Sequence, residues 1–334
     1  MYRTIIVPLD GSTRSHAALP VAARLARACG ARLVLARVHI DERPDLAHDP
    51  SWDAMFREGE QRYLDTLAPA YESTIGQEVE TALLDSPVEE SLCDFASLRV
   101  APIFVMAGRG RTGLRRALLG STADGLVRRG IAPVLVLRDR QHEGDAPAWM
   151  MRGQPFARIL LPLDGTTFAE GGIAHAVVLA KATGAKLHLI RVVGPIMTSA
   201  VLGEFMLIPP QPHDESNMLR NDLARDYLDG IVDRIKVSAP MLEVSAEVSL
   251  STDPGSAIVE STRHRASDLI VMASHGRRAS RLLVGAVGDR VLRDGPDAIL
   301  FIRPVKASVP AERRTPTREE SLPAAPRVPA LARQ

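Results

Sequence analysis

The chain is poor in cysteine, has almost no excess charge and contains no long apolar run. Only 2 of 334 residues are cysteine, and they show neither CxxC nor metal-type spacing, which argues against a disulfide framework. Lys and Arg total 41 against 40 Asp and Glu, so the global positive field expected of a nucleic-acid-binding protein is absent. No run reaches about 18 apolar residues, the length of a membrane span. We therefore expect neither a nucleic-acid partner nor a membrane-inserted segment.

The N-terminal sequence also lacks the marks of secretion. MYRTIIVPLDG reads as a short strand with a proline and an aspartate, without the apolar core and cleavage site of a signal peptide. We therefore expect a cytoplasmic protein. The composition, 46% hydrophobic and 24% charged, is that of a globular protein. At about 100–200 residues per domain, 334 residues predict two domains.

The chain repeats itself. Ile5–Val38 matches Ile159–Val192 without a gap, and Val105–Arg138 matches Val271–Arg303 with one residue fewer in the second copy. Identical pairs in the first match include Pro8 and Pro162, Asp10 and Asp164, Gly11 and Gly165, Leu25 and Leu179, Gly30 and Gly184, Leu33 and Leu187, and Arg37 and Arg191. Because self-similarity of this kind marks a repeated structural unit, the chain is predicted to be one domain twice.

Each half predicts strands that alternate with helices. Ile5–Leu9 and Ile159–Leu163 are apolar, end at Asp-Gly, and are followed by apolar residues spaced three and four apart, as in a helix. Gly30 and Gly184 are predicted to end these helices. Later runs such as IFVMA and LIVMA are apolar at every position, which is typical of strands covered by helices on both faces.

This alternation predicts an α/β fold of two tandem, doubly wound, parallel five-stranded sheets of the Rossmann-like kind. In such sheets the ligand crevice lies beyond the carboxyl ends of the strands. We expect domains at 1–138 and 156–303, a linker at 139–155, and a proline-rich, disordered tail at 304–334. The apolar segment Ile196–Pro210 is interpreted as covering the second crevice or packing on a partner subunit.

A glycine loop follows the predicted fourth strand of the first half. Residues 108–113 form a literal G-x-G-x-x-G, but a dinucleotide fingerprint would follow the first strand and open a helix at once. Only two glycines recur in the second half, Gly110 as Gly276 and Gly120 as Gly285. No Lys-Ser or Lys-Thr pair of the P-loop type occurs near them. The first half's other glycines are therefore interpreted as incidental.

The recurring glycines predict a phosphate-binding loop. Gly110 permits a tight turn, and Gly120, Ser121 and Thr122 begin the next helix. The N–H groups of Ser121 and Thr122, their hydroxyls and the positive end of the helix dipole would face a phosphate. A charge-assisted contact is expected from one arginine of the loop. The candidates are Arg109, Arg111, Arg115 and Arg116.

With these features the sequence resembles the universal stress protein family in its tandem two-domain form. The family pattern is G-x2-G-x9-G-(S/T) after the fourth strand, with an aspartate after the first. The first half departs only at the leading glycine, which is Ala107. The second half starts at Ala273, has eight residues instead of nine before Gly285, and has Ala286 in place of the hydroxyl residue. The resemblance covers nearly all of residues 2–138 and 156–303.

The resemblance implies an adenine nucleotide alpha hydrolase-like fold and a stress-response protein that binds ATP, with or without Mg²⁺, without committed catalysis. The implied binding residues of the first half are Pro8, Asp10, Val38, Met106, Ala107, Gly110, Arg111, Gly120, Ser121 and Thr122. Those of the second half are Asp164, Val192, Met272, Ala273, Gly276, Arg277, Gly285 and Val287. The family dimerises, often through its last strand, so we expect an intramolecular pseudo-dimer and consider a homodimer of the chain.

The implied roles follow the order of the loops. Asp10 would approach the ribose and phosphates, and Val38 would meet adenine with its backbone groups. The turn after the fourth strand and the helix start at Gly120 would hold the triphosphate. Because the second loop is shorter and lacks its hydroxyl, we expect weaker or absent ATP binding in the second half.

Several alternatives stay open from the sequence. Asp10 and Asp164 are as consistent with capping the following helix as with ligand binding. His39 is interpreted as edging the adenine pocket or filling space, and His275 as a loop residue. No Ser/His/Asp or Cys/His order and no carboxylate cluster near the loops indicates catalysis. The competing function classes are a weak ATP-hydrolysing or nucleotidyl-transferring enzyme, and a dimeric scaffold that binds no nucleotide.

Overall fold

The structure is a computed structural model that describes most of the chain. The described residues are 2–40, 50–108, 119–138, 155–198, 201–202, 206–207, 211–212, 214–274 and 285–303. The tail and nearly all of the linker lie outside them, as do Gly110, Arg111, Gly276 and Arg277. The predicted domain boundaries, the disorder of the tail and the roles of those four loop residues therefore stay predictions.

Strands and helices alternate in the first half (residues 1–138) in the predicted order. The strands are β1 (Thr4–Pro8), β2 (Arg32–His39), β3 (Glu80–Asp85), β4 (Pro102–Gly108) and β5 (Val134–Arg138). The helices are α1 (Thr13–His16), α2 (Leu19–Cys29), α3 (Pro50–Leu67), α4 (Pro69–Ile75), α5 (Val88–Ser97) and α6 (Ser121–Arg129). α3 and α4 follow each other directly and are separate helices because Pro69, at the start of α4, lacks an N–H group to continue the ladder.

The second half (residues 155–303) repeats this order. Its long strands are β6 (Arg158–Pro162), β7 (Lys186–Val193), β12 (Val244–Leu250), β13 (Leu269–Ala273) and β14 (Ala298–Ile302). Its helices are α7 (Thr167–Thr183), α8 (Asp214–Ser238), α9 (Pro254–His264) and α10 (Gly285–Asp294). Four two-residue strands precede α8, namely β8 (Met197–Thr198), β9 (Val201–Leu202), β10 (Met206–Leu207) and β11 (Gln211–Pro212). They pair antiparallel, β8 with β11 and β9 with β10, in and beside the segment predicted to cover the second crevice.

The helix after the first strand is continuous in one half and interrupted in the other. α7 is a single helix of 17 residues, whereas α1 and α2 are separated by Ala17 and Ala18. Pro20 lies in the first turn of α2, where its missing N–H group leaves no hydrogen bond unmade. The predicted glycine caps are confirmed, since Gly30 and Gly184 end α2 and α7 with φ of 59° and 69° in the left-handed region.

The long strands of both halves form one ten-stranded sheet in the order β3-β2-β1-β4-β5-β14-β13-β6-β7-β12. All its strand pairs are parallel except β5 with β14, which is antiparallel. The α/β doubly wound prediction is confirmed. However, the two five-stranded sheets are joined edge to edge, because the last strand of each half pairs with that of the other.

The junction has approximate two-fold symmetry. Leu135 of β5 pairs with Leu300 of β14, which is its equivalent in the internal repeat. Val136 pairs with Ile299 and both leucines are fully buried, so the two edge strands cover each other with apolar side chains. The tandem repeat therefore has the arrangement of an intramolecular pseudo-dimer.

Both faces of the sheet are covered. Side chains that alternate along β5 enter different cores, Leu135 and Leu137 on one face and Val134 and Val136 on the other. This double burial explains why the central strands are apolar at every position. In the part of the chain that the structure describes, no helix combines the length and apolar character of a membrane span.

Candidate functional site

An aspartate builds the turn after β1. Asp10 accepts hydrogen bonds from the N–H group of Ser12 at 2.9 Å and from its hydroxyl at 2.6 Å. The hydroxyl oxygen of Ser12 accepts from the N–H group of Ser15 at 3.2 Å, so the side chain that caps α1 is Ser12, which Asp10 orients. Partial burial opposes ionisation of Asp10, but the hydrogen bonds from Ser12 lower its pKa below the ordinary value. The turn therefore presents an ionised carboxylate.

Gly11 brings this turn against Arg37 of β2. Its φ is +81°, and a Cβ atom placed on it would lie 2.8 Å from a guanidinium nitrogen of Arg37. The Nε of Arg37 donates to Glu60 at 2.9 Å, and its guanidinium lies 5.5 Å from the ring centre of Tyr63. Both the backbone conformation and the close approach therefore require glycine at this turn.

The end of β2 is tied to α3 through a buried histidine. His39 Nδ1 lies 2.7 Å from Glu60 Oε2, and its Nε2 lies 2.9 Å from Asp53 Oδ1. Hydrogen bonds from Arg57 lower the pKa of Asp53. Arg57 also donates to Asp85 at the end of β3. His39 thus connects β2 to α3, beside the position of Val38.

The start of α6 has the form of an anion site. Gly120 is the N-cap residue, with φ 83° and ψ 153°, a region that is essentially restricted to glycine. Within the described residues no side chain caps this helix. The first N–H groups of α6, at Ser121 and Thr122, have no partner within the helix, and the positive end of the helix dipole lies beside them.

These segments surround one cavity of about 650 Å³ at the carboxyl ends of β1, β2 and β4. All eight of the predicted first-half residues that the structure describes line it. They are Pro8, Asp10, Val38, Met106, Ala107, Gly120, Ser121 and Thr122. The chain segments that follow β1, β2 and β4 therefore meet at one cavity.

Both polar and apolar residues line the cavity. Further polar lining residues are Ser12, Arg14, Ser15, Arg37 and Glu60, and further apolar ones are Leu9, Ala36, Ile40, Val88, Leu92, Leu119 and Ala123. A ligand with an anionic part and a flat, uncharged part matches such a surface, and cavities of about 300–1,000 Å³ are usual for small ligands.

Three residues that line the cavity, Arg14, Arg37 and Glu60, were not predicted from the sequence. Arg37 could have been found, since it recurs as Arg191 in the internal repeat. Arg14 and Glu60 have no such signal. Glu60 reaches the cavity only because α3 packs against β2, and neither the spacing of residues nor a motif predicts that contact.

The second half has the same turn. Asp164 accepts from the N–H group and hydroxyl of Thr166 at 2.8 and 2.6 Å, and Thr166 caps α7. Gly165, with φ +87°, lies against Arg191, whose guanidinium is 4.6 Å from the ring centre of Tyr227.

The other predicted second-half residues lie at equivalent places. Val192 is near the end of β7, Met272 and Ala273 end β13, and Gly285 and Val287 lie in the first turn of α10. Because the strands β6, β7 and β13 end at the same edge of the sheet, the topology brings these residues to that edge.

Fold and site define a tandem, Rossmann-like α/β protein with a ligand crevice at the strand ends. The sequence model of the Universal stress protein family matches residues 1–138 and 155–303, which is most of the chain. The chain therefore belongs to the universal stress protein family, and it has two family domains in tandem.

Several known proteins are similar to this chain. A universal stress protein of Mycolicibacterium smegmatis is 27% identical over 311 residues, which cover 90% of this chain and 97% of the relative. A crystal structure of a universal stress protein from Archaeoglobus fulgidus is 19% identical with a TM-score of 0.61, over 90% of this chain and 98% of that one, and shows the same fold. A universal stress protein solved in complex with cAMP matches 45% of this chain and 98% of its own, at 19% identity and a TM-score of 0.34.

Proposed function

We propose that the first half binds an adenine nucleotide, ATP in particular, in the cavity at the start of α6. The protein would use the bound nucleotide as a signal or stabiliser in a stress response, without a committed reaction of its own. The observation that carries this proposal is the convergence of eight residues, chosen from the sequence, on one cavity.

The phosphates would lie against α6. The N–H groups of Ser121 and Thr122 and their hydroxyls are donors, and the dipole of the helix adds a positive potential. Arg14, which also lines the cavity, would add a positive charge.

The base and ribose would lie toward β2 and β4. Val38 and Met106 offer apolar contact, and the backbone of the β2 end supplies polar groups for the edge of the base. Asp10, ionised and fixed by Ser12, would accept a hydrogen bond from a ribose hydroxyl. A cavity of about 650 Å³ has room for a ligand of this size.

The second half is proposed to bind ATP weakly or not at all. Ala286 and Val287 stand where the first half has the hydroxyl residues Ser121 and Thr122. The backbone N–H groups are retained, but the side-chain donors are lost. Each lost hydrogen bond to a charged phosphate would weaken the binding free energy by about 1.5–3 kcal/mol.

Calorimetric titration of the whole chain tests this proposal, with ATP, ADP and adenosine, each with and without Mg²⁺. We expect one ATP per chain. Gly120→Val should abolish binding because no L-residue fits the backbone at this position without strain. The matched control, Gly285→Val, places the same strain at φ +78° in the second half and should leave the ATP isotherm unchanged.

The competing functions give different results in the same preparation. Steady-state ATP hydrolysis above background, lost in Gly120→Val, would show an enzyme. No heat with any nucleotide would support a scaffold. Two equal sites per chain would contradict the proposed asymmetry between the halves.

A further inference from the structure

The helix that begins at the proposed phosphate site ends against an arginine of the other half. Arg303, directly after β14, donates from Nη1 to the carbonyl oxygens of Arg128 at 2.8 Å and Arg129 at 3.2 Å. These are the last two residues of α6. A cationic donor thus satisfies carbonyls that have no partner within the helix, at its negative end.

Gly130 makes this approach possible. It ends α6 with φ +63°, and a Cβ atom on it would lie 2.2 Å from Cδ and 2.8 Å from Cβ of Arg303. The aliphatic part of Arg303 therefore lies flat on the glycine. A side chain at residue 130 would displace it.

The contact is reciprocal. Arg138 ends β5 and occupies the position in the repeat that Arg303 has in the second half. It is buried and donates to the carbonyl oxygens of Arg293 at 2.9 Å and Gly295 at 3.2 Å, at the end of α10. Because β5 and β14 pair antiparallel, each strand delivers its arginine to the last helix of the other half.

We propose that Arg303 is a positioning residue for the nucleotide site of the first half. It holds α6 by its C-terminal end, so that the N–H groups of Ser121 and Thr122 stay aimed into the cavity. The inference rests on the proposed function, since it concerns the phosphate part of that site.

α6 depends on contacts at its ends because it is short. A helix of nine residues is marginal by itself, and only Ala123, Leu126 and Val127 of this one are buried. Its N-terminal turn is left without a capping side chain, so the helix has to be ordered by packing and by contacts at its other end. When Arg303 is removed, part of the ligand's binding energy is used to order the helix, and affinity falls by that part.

The test is the substitution Arg303→Met, which keeps the aliphatic chain over Gly130 and removes the donors. Interactions of an exposed cation with a helix C-terminus predict that ATP binds about two- to fivefold more weakly in calorimetry. Adenosine, which has no phosphate to meet α6, should bind as it does to the wild-type chain. Arg303→Lys retains a cationic donor and should restore most of the ATP affinity.

Lys186→Met is the matched control for the lost charge. Among the described residues, the Lys186 side chain forms an ion pair with Glu243 only, and this pair lies in the second half, far from α6. Thermal melts confirm that each variant is folded. Hydrogen exchange of residues 126–130 should rise in Arg303→Met and fall again when ATP is added.

Two results would overturn this inference and leave the proposed function standing. One is an unchanged ATP isotherm in Arg303→Met when the wild-type chain binds ATP. The other is an equal loss of ATP and adenosine affinity, which indicates general destabilisation instead of positioning. If the wild-type chain binds no nucleotide, the proposed function fails and this inference fails with it.

Discussion

The two halves of the chain share a turn but differ in what surrounds it. Asp10 and Asp164 make the same pair of hydrogen bonds, to Ser12 and Thr166, within 0.1 Å in distance. Behind the first turn, Arg37 donates to Glu60. Tyr227 of α8 corresponds to Tyr63 of α3, because each ring lies against the arginine of the strand before it. With this alignment, Ala224 of α8 stands at the place of Glu60.

The shared turn belongs to the fold, whereas the network behind it is specific to the first half. The turn and its glycine are needed for β1 or β6 to meet the following helix, so both halves have them. The charged network of Arg37, Glu60 and His39 occurs only where the proposed ATP site is complete, because Val193 replaces His39 in the second half. The two copies therefore share the turn that the fold requires, and they differ in the charged network behind it.

The largest expected effect concerns the helix after the first strand. Ala174, exposed in the middle of α7, corresponds to Pro20, at which the first half begins a second helix. Ala174→Pro should lower the free energy of unfolding by about 3 kcal/mol, because it removes one helical hydrogen bond and clashes with the preceding turn. Urea unfolding measures the loss.

The control is Pro20→Ala, which should change stability by less than about 1 kcal/mol because proline occupies a compatible position there. A loss below about 1 kcal/mol in Ala174→Pro would mean that the interrupted helix suits both halves equally. The interruption would then be an accident of sequence.

A charge at the start of α6 sharpens the functional difference. Ser121→Asp adds a carboxylate to the first turn, which favours the helix itself by about 0.3–1 kcal/mol but repels phosphate. ATP affinity should fall at least tenfold, about 1.4 kcal/mol, while adenosine still binds.

Ala286→Asp places the same charge at the equivalent position of α10. We expect it to leave ATP affinity within about twofold, since two-fold is only about 0.4 kcal/mol. If both aspartates weaken ATP binding equally, the nucleotide contacts both halves and the proposed asymmetry is wrong. Calorimetry with each variant decides between these outcomes.

Much of this architecture could be predicted from the sequence. The repeat fixed the number of units, and the Asp-Gly turns and caps at Gly30 and Gly184 located the first helices. The resemblance to the universal stress protein family implied the site residues of β1, β2, β4 and α6, and the rule that parallel strands end at one edge of the sheet predicted where the crevice lies. Each of these predictions depends on local sequence or on a topology with few alternatives.

The remaining features arise from long-range packing. The pairing of Leu135 with Leu300 and the contact of Arg303 with Arg129 join residues more than 150 positions apart, and no local pattern encodes them. Glu60 lines the cavity for a similar reason. The packing of the buried face of α3 determines where this helix lies, and the sequence next to the helix does not. Such contacts follow only once the register of strands and helices is known.

A smaller effect separates the two aspartates. Asp10→Ala and Asp164→Ala should each lower the free energy of unfolding by about 1 kcal/mol, because each removes the acceptor that orients a helix cap. Only Asp10→Ala should also weaken ATP binding. Thermal melts and calorimetry on both variants make the comparison. If the two variants have the same ATP affinity, Asp10 has a structural role alone.

The smallest effect is a dependence of stability on pH that belongs to the second half. His188 of β7 is buried where the first half has Val34, and its Nδ1 contacts the hydroxyl of Ser245 at 2.8 Å. Burial lowers the pKa of His188; the carboxylate of Glu247 opposes this shift and Arg265 adds to it. The folded state therefore binds a proton less readily than the unfolded chain, whose histidines titrate near about 6.5.

The sign follows from that difference. The contribution of His188 to stability is complete above about pH 6.5 and is lost as the pH falls toward the lowered pKa of the folded state. His188→Val, which restores the residue of the first half, should flatten the fall in urea midpoint between about pH 7.5 and 5.5. His264→Val, at an exposed histidine of α9, should leave the slope unchanged. An unaltered slope in His188→Val would place the acid sensitivity elsewhere, and burial of His175, whose pKa is also lowered, would be the next cause to test.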